Sequence, residues 1–389
     1  MERIELVFFD AGGGHRSAAT SLKLISEKQA RPWDMRLMNL QEHLDELDFV
    51  RRYFRIRMQD VYNSMLRSGM TLGAAQIIPV LQAVIRLRHT ATVKLLEEYW
   101  REANPDMVVS LIPHFNRELG ESFRKVFPKR PFVTVLTDVA DYPPHFWIER
   151  QPQYFVCGSD RAVEQARALG HDDTYIFQTS GMIIHPRFYE PVSVDRRQER
   201  SALGLDPDLP TGLVLFGGYG SSAIEEIAER LEEADLNLQL ILICGKNGKL
   251  AERLRRRAMR IPCYVEGFTT NVPYYMNLAD FFVGKPGPGA ISEALAMKLP
   301  VIVECNAWTL PQERFNTEWV LQEQVGMVLR SFREIVPAVT QMLDPATLAR
   351  LRGNAAALRN CALFEIPSIL ETIFSHRQNT ETVDTTAAW

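Results

Sequence analysis

Short apolar runs alternate along the chain with segments whose apolar residues recur at helical spacing. In the first half, apolar runs at 4–9, 106–111 and 131–136 each end at a turn rich in glycine, proline or aspartate, and the alternation resumes at residue 211. Strands that alternate with helices form parallel sheets, which bind ligands at the carboxyl ends of their strands. The pattern therefore predicts an α/β protein with two Rossmann-like lobes, whose parallel sheets face a central cleft.

The same pattern places the boundaries of the predicted domains. The first lobe is expected at 1–188, and a charged, proline-bounded linker at 189–210 leads to the second lobe at 211–352. Further helices are expected at 353–376, and the mostly polar residues 377–389 are expected to form a disordered tail. A length of 389 residues suits two domains better than one hydrophobic core.

Composition limits the classes of protein to which the chain can belong, but it does not indicate which reaction the protein catalyses. Apolar residues make up 46% of the chain and charged residues 24%, as in a soluble globular protein, and the net charge is -4. That balance argues against nucleic-acid binding through overall charge. The five cysteines are scattered without a Cys-x-x-Cys pair, so we expect buried free thiols in a reducing compartment. We find no signal peptide and no apolar run long enough to span a membrane, and therefore expect a cytoplasmic location.

A long insertion at about 41–103 interrupts the first lobe with a mostly helical pattern that is rich in arginine and aromatic residues. Within it, residues 48–94 carry eight basic and two acidic side chains. A basic amphipathic surface of this kind favours peripheral binding to an anionic membrane, here at its inner, cytoplasmic face. A solvated helix pair packed on the lobe explains the same pattern, so both interpretations stay open.

The first strand leads into a glycine turn, and a histidine follows at the start of the next helix. Gly13 and Gly14 leave room for a substrate close to the backbone, while His15 lies at the helix N-terminus. A helix N-terminus keeps an imidazole neutral, which is the form that a general base requires. His15 is therefore a candidate base, although a histidine that caps its own helix is the commoner meaning of such a motif.

In the second lobe, one strand ends in a Lys-Pro-Gly-Pro-Gly turn at 285–289, before a helix with Glu293 in its first turn. Free amides at such a helix start favour a diphosphate, and Lys285 adds a positive charge. Glu293 is placed to accept hydrogen bonds from ribose hydroxyls. A tight turn with proline at a helix start accounts equally well for the spacing.

Two further stretches of the second lobe are candidates for binding a sugar nucleotide. The glycine-rich loop at 217–222 lets a phosphate or sugar approach the backbone, but it fits no established phosphate-binding pattern. Gln312, Glu313 and Asn316 lie near the start of a predicted helix and offer amide and carboxylate groups to sugar hydroxyls. An ordinary turn and an ordinary capped helix are the alternative explanations.

One loop of the first lobe carries Asp138, Asp141 and His145 after a predicted strand. A carboxylate in that position can orient a base or take a proton itself, whereas loop polarity and a β-turn are the alternative explanation. Asp206 and Asp208 form an Asp-x-Asp pattern in the proline-bounded linker, which we interpret as a turn. No His, Cys and Asp cluster has the spacing of metal ligands, so no metal site is predicted.

Together and in this order, the motifs resemble those of the monogalactosyldiacylglycerol synthase and processive diacylglycerol glucosyltransferase family, and more distantly those of MurG. The resemblance spans about residues 6–330, and the shared order is more specific than any one motif. The matching stretches are 10–19, 135–138 with His145 and Trp147, 217–220, 266–268 with Asn271, 285–294, and 312–316 with Gly326.

The resemblance implies a GT-B fold and an inverting transfer of a sugar from a UDP-sugar to the hydroxyl of a lipid or lipid-linked acceptor, with no cofactor and no essential metal. By position, His15 is the implied base and Asp138 the second candidate. Ala290 stands where the family usually has a hydroxyl residue. The residues implied on the acceptor side are Gly13, Gly14, Asp141 and His145. The residues implied to bind the donor are Gly218, Phe268, Lys285, Gly287, Gly289, Ala290, Glu293, Gln312, Glu313 and Asn316.

The expected partners are accordingly a UDP-sugar, a lipid acceptor and, through residues 48–94, an anionic membrane, but no nucleic acid. Two other functions remain compatible with the sequence. A UDP-sugar epimerase or hydrolase shares the two-lobe fold and needs no acceptor, and a nucleotide-sugar binding protein needs no catalysis. The transferase ranks first because His15 and the basic segment have no task in a protein that only binds.

Overall fold

The computed structural model of the protein describes residues 1–10, 13–44, 74–142, 145–257 and 259–386. These residues form two compact units. The first comprises the described residues from Met1 to Pro186 together with those from Asn360 onward, and the second runs from Arg187 to Arg359. Each unit is built around one parallel sheet, so the prediction of two Rossmann-like α/β lobes is confirmed.

The first unit has a six-stranded sheet in the order β2-β1-β3-β4-β5-β6, in which neighbouring strands are parallel. Its strands are β1 (Glu2–Phe8), β2 (Trp33–Asn39), β3 (Met107–Ser110), β4 (Phe132–Val135), β5 (Tyr154–Cys157) and β6 (Ile176–Gln178). Between these strands lie α1 (Gly14–Lys28), α2 (Leu40–Leu44), α3 (Ala74–Ala103), α4 (Asn116–Val126) and α5 (Asp160–Ala168). Because the strands run the same way, the loops after β1, β3 and β4 leave one edge side by side.

The second unit has a six-stranded parallel sheet in the order β12-β11-β10-β7-β8-β9. Its strands are β7 (Thr211–Leu215), β8 (Gln239–Ile243), β9 (Cys263–Glu266), β10 (Phe281–Gly284), β11 (Val301–Glu304) and β12 (Gly326–Leu329). Its helices are α6 (Arg196–Ala202), α7 (Ala223–Glu233), α8 (Gly248–Arg256), α9 (Val272–Leu278), α10 (Pro288–Ala296), α11 (Pro311–Gln322), α12 (Ile335–Met342) and α13 (Pro345–Ala357). The loops after β7 and β10, which are neighbours, meet at one edge.

The core of the second unit shows why its sequence forms these elements. All five residues of β8 are buried, as expected for a strand of a parallel sheet that helices cover on both faces. On α7, apolar side chains recur at helical spacing and are buried against the sheet, while the opposite face is acidic. The apolar residues of α7 that are buried against the sheet are Ile224, Ile227, Ala228 and Leu231.

The last helix, α14 (Ala362–Thr386), belongs to the first unit, whereas the sequence-based boundaries set 353–376 apart as separate helices. Glu365 fastens it there by accepting hydrogen bonds from the backbone N–H and the hydroxyl of Ser180, at 2.8 and 2.9 Å. The helix continues past residue 377, where a disordered tail was expected, because no proline or glycine follows Pro367 to end it. Its buried apolar residues include Leu363, Ile366, Leu370 and Ile373.

The predicted linker at 189–210 contains α6 and is fastened to the second unit by a buried ion-pair network. Asp280, just before β10, accepts hydrogen bonds from Arg196 at 2.7 Å, from Arg200 at 2.8 Å and from the N–H of Thr211 at 2.8 Å. Burial opposes the ionisation of Asp280, but these donors outweigh it and hold its pKa below the usual range. The linker helix therefore forms part of the second unit rather than a free connection.

Replacement of Asp280 by alanine is expected to lower the free energy of unfolding by about 3 kcal/mol, because it leaves the buried guanidinium of Arg200 without its carboxylate. Urea denaturation measures the change. The control is Asp208→Ala, which removes the exposed ion pair of Asp208 with Arg197 on the same helix and should cost far less stability. Equal losses in the two variants would show that the buried network does not hold α6.

Candidate functional site

The first candidate site lies where β1, β3 and β4 end. Gly13 has a φ of 85°, in the left-handed region that glycine adopts without strain, and α1 begins at the next residue. The Nδ1 atom of His15 lies 3.1 Å from the hydroxyl oxygen of Thr137, which follows β4. Within the described part of the chain, no side chain caps α1. His15 therefore bridges two strand ends instead of capping its own helix.

The glycine turn before His15 is open. A Cβ atom added at Gly13 or at Gly14 would meet no atom of the described residues within 4 Å. Space next to the backbone is what a turn must offer if a ligand is to approach it closely. The two glycines predicted on the acceptor side thus border free space beside the candidate base.

Burial determines the protonation state of His15. The side chain is half-buried, and loss of solvent lowers its pKa to about 4, against the smaller and opposite effect of a hydrogen bond with the backbone of Leu111. His15 is therefore neutral at pH 7, and one ring nitrogen keeps a lone pair that can take a proton. The arrangement has the protonation state that a general base needs.

Asp138 holds the ring of Trp147, which lies beside His15. Its carboxylate is buried and accepts a hydrogen bond from the indole Nε1 of Trp147 at 2.9 Å. The ring of Trp147 in turn lies 6.1 Å from the imidazole of His15, measured between centroids. The structure thus places Asp138 near the candidate base, and its role as a second base stays a prediction.

Asp141 holds the loop that carries Phe146 and Trp147. Its two carboxylate oxygens accept hydrogen bonds from the backbone N–H groups of His145, Phe146 and Trp147, at 3.0, 2.8 and 2.6 Å. Burial raises the pKa of Asp141, although these three amides favour its charged form. The geometry favours the structural explanation for Asp141. His145 itself is exposed and has a φ of 62°.

The structure brings a second histidine, His114, to this site, which the sequence pattern did not indicate. The ring of His114 packs edge-on against Phe146, with 4.1 Å between centroids. Burial and the charge of the nearby His15 lower its pKa to about 4. In the sequence His114 stands four residues beyond β3, and only the order of strands in the sheet shows that it lies beside the turn of His15.

The second candidate site lies in the other unit, where β7 and β10 end and α11 begins. The Nζ atom of Lys285 lies 3.4 Å from the Oε1 atom of Glu313. A Cβ atom at Gly287 would lie 3.4 Å from that same oxygen, and one at Gly217 would lie 3.8 Å from the Cε atom of Lys285. The structure thus brings together the lysine, the carboxylate and two glycines from three separate stretches of sequence.

The start of α10 offers amides to an anion. The helix begins at Pro288 after Gly287, and no side chain of the described residues caps it. Its first intrahelical hydrogen bond runs from the N–H of Ile291 to the carbonyl of Gly287, at 3.1 Å. The amides of Gly289 and Ala290 come before that bond and therefore have no partner within the helix. Such amides, with the helix dipole, bind phosphate groups.

Two amide side chains of α11 hold buried oxygen atoms. Asn316 is fully buried and donates through Nδ2 to the carbonyl of Pro286 at 2.8 Å, which ties α11 to the turn before α10. Its Oδ1 atom and the Oε1 atom of Gln312 are buried without a hydrogen-bond partner among the described residues. Amide oxygens of this kind accept hydrogen bonds from hydroxyl groups, so they suit a sugar.

Glu293 has an ionisation state that a ligand can shift. It is half-buried in α10, where burial raises its pKa to about 7 against the opposing charge of Arg187. Its carboxyl group is therefore close to the midpoint of its titration at neutral pH. A ligand that donates hydrogen bonds to the carboxylate favours the charged form and is bound more tightly as the pH rises.

Gly218 and Phe268 meet at Lys246. The carbonyl of Gly218 accepts a hydrogen bond from the backbone N–H of Lys246 at 2.9 Å. The Nζ atom of Lys246 lies 5.4 Å from the ring centroid of Phe268, which is 59% exposed, and 5.6 Å from that of Tyr219. An exposed aromatic ring with a cation beside it is able to stack on a planar base.

The described residues hold no group of histidine, cysteine, aspartate or glutamate side chains arranged to bind a metal ion. None of the helices in the described ranges is long and apolar enough to cross a membrane.

Residues 48–73 of the predicted basic segment lie outside the described part of the chain. Of its remainder, Arg86, Leu87 and Arg88 are exposed on α3.

The chain is similar in sequence to known proteins. Residues 213–307 match the glycosyltransferase family 28 C-terminal domain. The chain is 28% identical over 359 residues to a chloroplastic monogalactosyldiacylglycerol synthase of Spinacia oleracea, covering 88% of this chain and 66% of that protein. It is 27% identical over 362 residues to monogalactosyldiacylglycerol synthase 1 of Arabidopsis thaliana, covering 89% and 66%. The chain thus spans 66% of the length of these two relatives.

Solved structures share the fold. MurG of Acinetobacter baumannii superposes with a TM-score of 0.63 at 9% identity, covering 96% of this chain and all of that one. The S. aureus MnaA–UDP co-structure gives 0.62 at 14% identity, covering 96% and 97%. A UDP-GlcNAc 2-epimerase of Neisseria meningitidis bound to UDP-GlcNAc gives 0.58 at 14%, covering 95% and 100%.

These findings confirm the predicted resemblance. The family 28 match covers the second unit from β7 to just beyond β11, which contains Lys285, Glu293 and the start of α10. The matches to the two plant synthases extend over 88% and 89% of this chain. The chain has the two-lobe GT-B fold, carries a glycosyltransferase family 28 C-terminal domain and resembles the monogalactosyldiacylglycerol synthases.

Proposed function

We propose that the chain is an inverting glycosyltransferase that moves a sugar from a UDP-sugar to a hydroxyl group of a lipid or lipid-linked acceptor at the cytoplasmic face of a membrane. The observation that carries the proposal is the neutral His15, held by Thr137 and Leu111 beside an open glycine turn. The names of the two plant relatives suggest diacylglycerol as the first acceptor to test and UDP-galactose as the first donor.

In the proposed reaction, His15 takes the proton of the acceptor hydroxyl. The acceptor oxygen forms a bond to the anomeric carbon of the donor sugar from the face opposite UDP. The bond between that carbon and the diphosphate oxygen breaks, and UDP leaves with the electron pair. Attack from the opposite face inverts the configuration at the anomeric carbon, and His15 afterwards releases its proton to solvent. Asp138 is the second candidate for the base.

The second unit supplies the groups that the proposed donor needs. The amides of Gly289 and Ala290 and the charge of Lys285 stabilise the diphosphate as its negative charge grows, so the proposal requires no metal ion or other cofactor. Glu293 accepts hydrogen bonds from the ribose. The buried oxygens of Gln312 and Asn316 accept hydrogen bonds from sugar hydroxyls. Two proteins of the same fold bind UDP or UDP-GlcNAc, which supports this class of donor.

Mass spectrometry of lipid extracts tests the proposal. The protein is incubated with an extract and each common UDP-sugar in turn, and a new glycolipid together with free UDP is the expected product. A soluble product formed without lipid would overturn the proposal in favour of a UDP-sugar epimerase or hydrolase. Binding of UDP without turnover of any donor would indicate a nucleotide-sugar binding protein.

In the same assay, His15→Ala is expected to lower kcat by at least about 100-fold, the usual contribution of a general base. Binding of UDP, measured by calorimetry, should not change. The control is His171→Ala in the same unit, where His171 lies 2.9 Å from the carbonyl oxygen of Glu149 and packs on Phe155. Transfer by the His15 variant at the wild-type rate would show that another group is the base.

The raised pKa of Glu293 predicts how UDP binding depends on pH. The ribose hydroxyls bind the charged form of Glu293. When the pH is below about 7, the carboxyl group of Glu293 must therefore lose its proton before UDP binds. The affinity of the wild type for UDP should therefore rise by about tenfold between pH 6 and pH 8. Glu293→Gln removes this contribution and leaves the titration of UDP itself. Identical pH profiles for the two proteins in calorimetry would exclude contact between Glu293 and the ribose.

The exposed end of the basic segment supports the proposed membrane contact. Leu87 is 86% exposed on α3 and stands between Arg86 and Arg88, which are also exposed. An apolar side chain between two cations suits an anionic lipid surface, since the cations meet the head groups and the leucine can enter the interface.

Charge reversal at both arginines, Arg86→Glu with Arg88→Glu, should weaken binding to vesicles that contain phosphatidylglycerol by at least roughly tenfold. Cosedimentation measures the effect. The matched control reverses two exposed arginines of α5, Arg161→Glu with Arg167→Glu, and should bind as the wild type does. Equal binding by the α3 and α5 variants would contradict the membrane contact.

A further inference from the structure

His114 has a left-handed backbone conformation. Its φ is 69°, in a region that is uncommon for residues other than glycine, although histidine, asparagine and aspartate adopt it more often than most. Its backbone N–H donates to the carbonyl of Phe146 at 2.7 Å, and its ring packs edge-on against the ring of the same residue. Strained residues that a structure fixes from several sides are concentrated at binding and catalytic sites.

The polar edge of the ring is buried but unused. Among the described residues, the Nδ1 atom of His114 has no hydrogen-bond partner and almost no contact with solvent. Leaving a buried polar atom unpaired costs stability, so a water molecule or a ligand is the expected partner of this nitrogen. Phenylalanine could pack on Phe146 without an unpaired nitrogen, although it adopts a positive φ less readily than histidine does.

His114 and His15 belong to one cluster. The two rings pack near consecutive residues of one loop, His114 against Phe146 and His15 beside Trp147. His15 also interacts with the backbone of Leu111, three residues before His114. The charge that His15 would carry lowers the pKa of His114, and both rings are neutral at pH 7. A neutral imidazole makes one hydrogen bond through Nδ1, as donor or as acceptor according to its tautomer.

We infer that His114 is a second acceptor-binding residue, whose Nδ1 atom makes a hydrogen bond to an oxygen at the hydroxyl-bearing end of the acceptor while His15 takes the hydroxyl proton. This inference rests on the proposed function and adds to it a residue that positions the acceptor. The backbone conformation and the unpaired nitrogen then have one explanation. The backbone holds the ring beside the base, and the nitrogen is the atom that makes the hydrogen bond to the acceptor.

Two variants with relaxed backbones separate binding from structure. Asparagine and glycine both adopt a positive φ readily, but only asparagine carries an amide close to the place of Nδ1. His114→Gly should raise the KM for the acceptor by about tenfold or more, the factor that one buried hydrogen bond supplies, and should leave the KM for the donor unchanged. His114→Asn should stay within about threefold of the wild type.

The measurement uses the full chain and the lipid that the wild type glycosylates, with 1,2-dioleoylglycerol in mixed micelles as the first probe. His114→Phe, which keeps the ring packing, should behave as the glycine variant does, and His171→Phe is the matched control at another histidine packed on a phenylalanine. Thermal melting and UDP calorimetry show that each variant is folded.

An unchanged acceptor KM in both His114→Gly and His114→Phe would overturn the inference while leaving the proposed function intact. Equal losses in the glycine and asparagine variants would also overturn it, since the amide would then restore nothing. Failure of the wild type to glycosylate any lipid would overturn the proposed function itself, and the inference with it. A rise in the donor KM together with that of the acceptor would indicate a general disturbance and would likewise count against the inference.

Discussion

The contact between His15 and Thr137 joins two loops that are distant in the chain but adjacent in space. It forms because β1 and β4 both border β3, so their carboxyl ends lie on either side of the loop that follows β3. That loop must pass between them, and it brings His114 to the same place. The loops that follow β1 and β3 also meet at Phe9 and Phe115, whose ring centroids lie 5.5 Å apart. The positions of both histidines thus follow from the order of the strands.

Loss of solvent is the common cause of the unusual ionisation at both candidate sites. It lowers the pKa of His15 and raises that of Glu293, because burial disfavours the charged form of a base and of an acid alike. The protein without substrate therefore avoids buried charges that have no partner. Charge can arise at either residue once a substrate supplies the proton or the hydrogen bonds that stabilise it. The ionisation of these two buried groups is thereby linked to ligand binding.

How far the sequence predicts these features depends on whether they are local. The alternation of apolar runs and helical patterns predicted both parallel sheets, since it reflects burial on both faces of each strand. The glycine turn and the Lys285 loop were found because glycine and charge stand next to each other in the chain. His114 was not found, because its ring packing and its backbone hydrogen bond involve Phe146, which lies 32 residues further on. The return of α14 to the first unit depends on a similarly distant contact, between Glu365 and Ser180.

The hydrogen bonds that a buried group already makes limit what it can offer to a substrate. Asp141 looked like an acceptor-side carboxylate in sequence, yet three backbone amides occupy its oxygens, and Asp280 is similarly occupied by arginines and an amide. Such groups have little capacity left for a substrate. Gln312, Asn316 and His114, in contrast, each keep one buried polar atom unpaired within the described structure. Since an unpaired buried atom is unfavourable on its own, a ligand that supplied the missing partner at these three positions would restore the stability that they forgo.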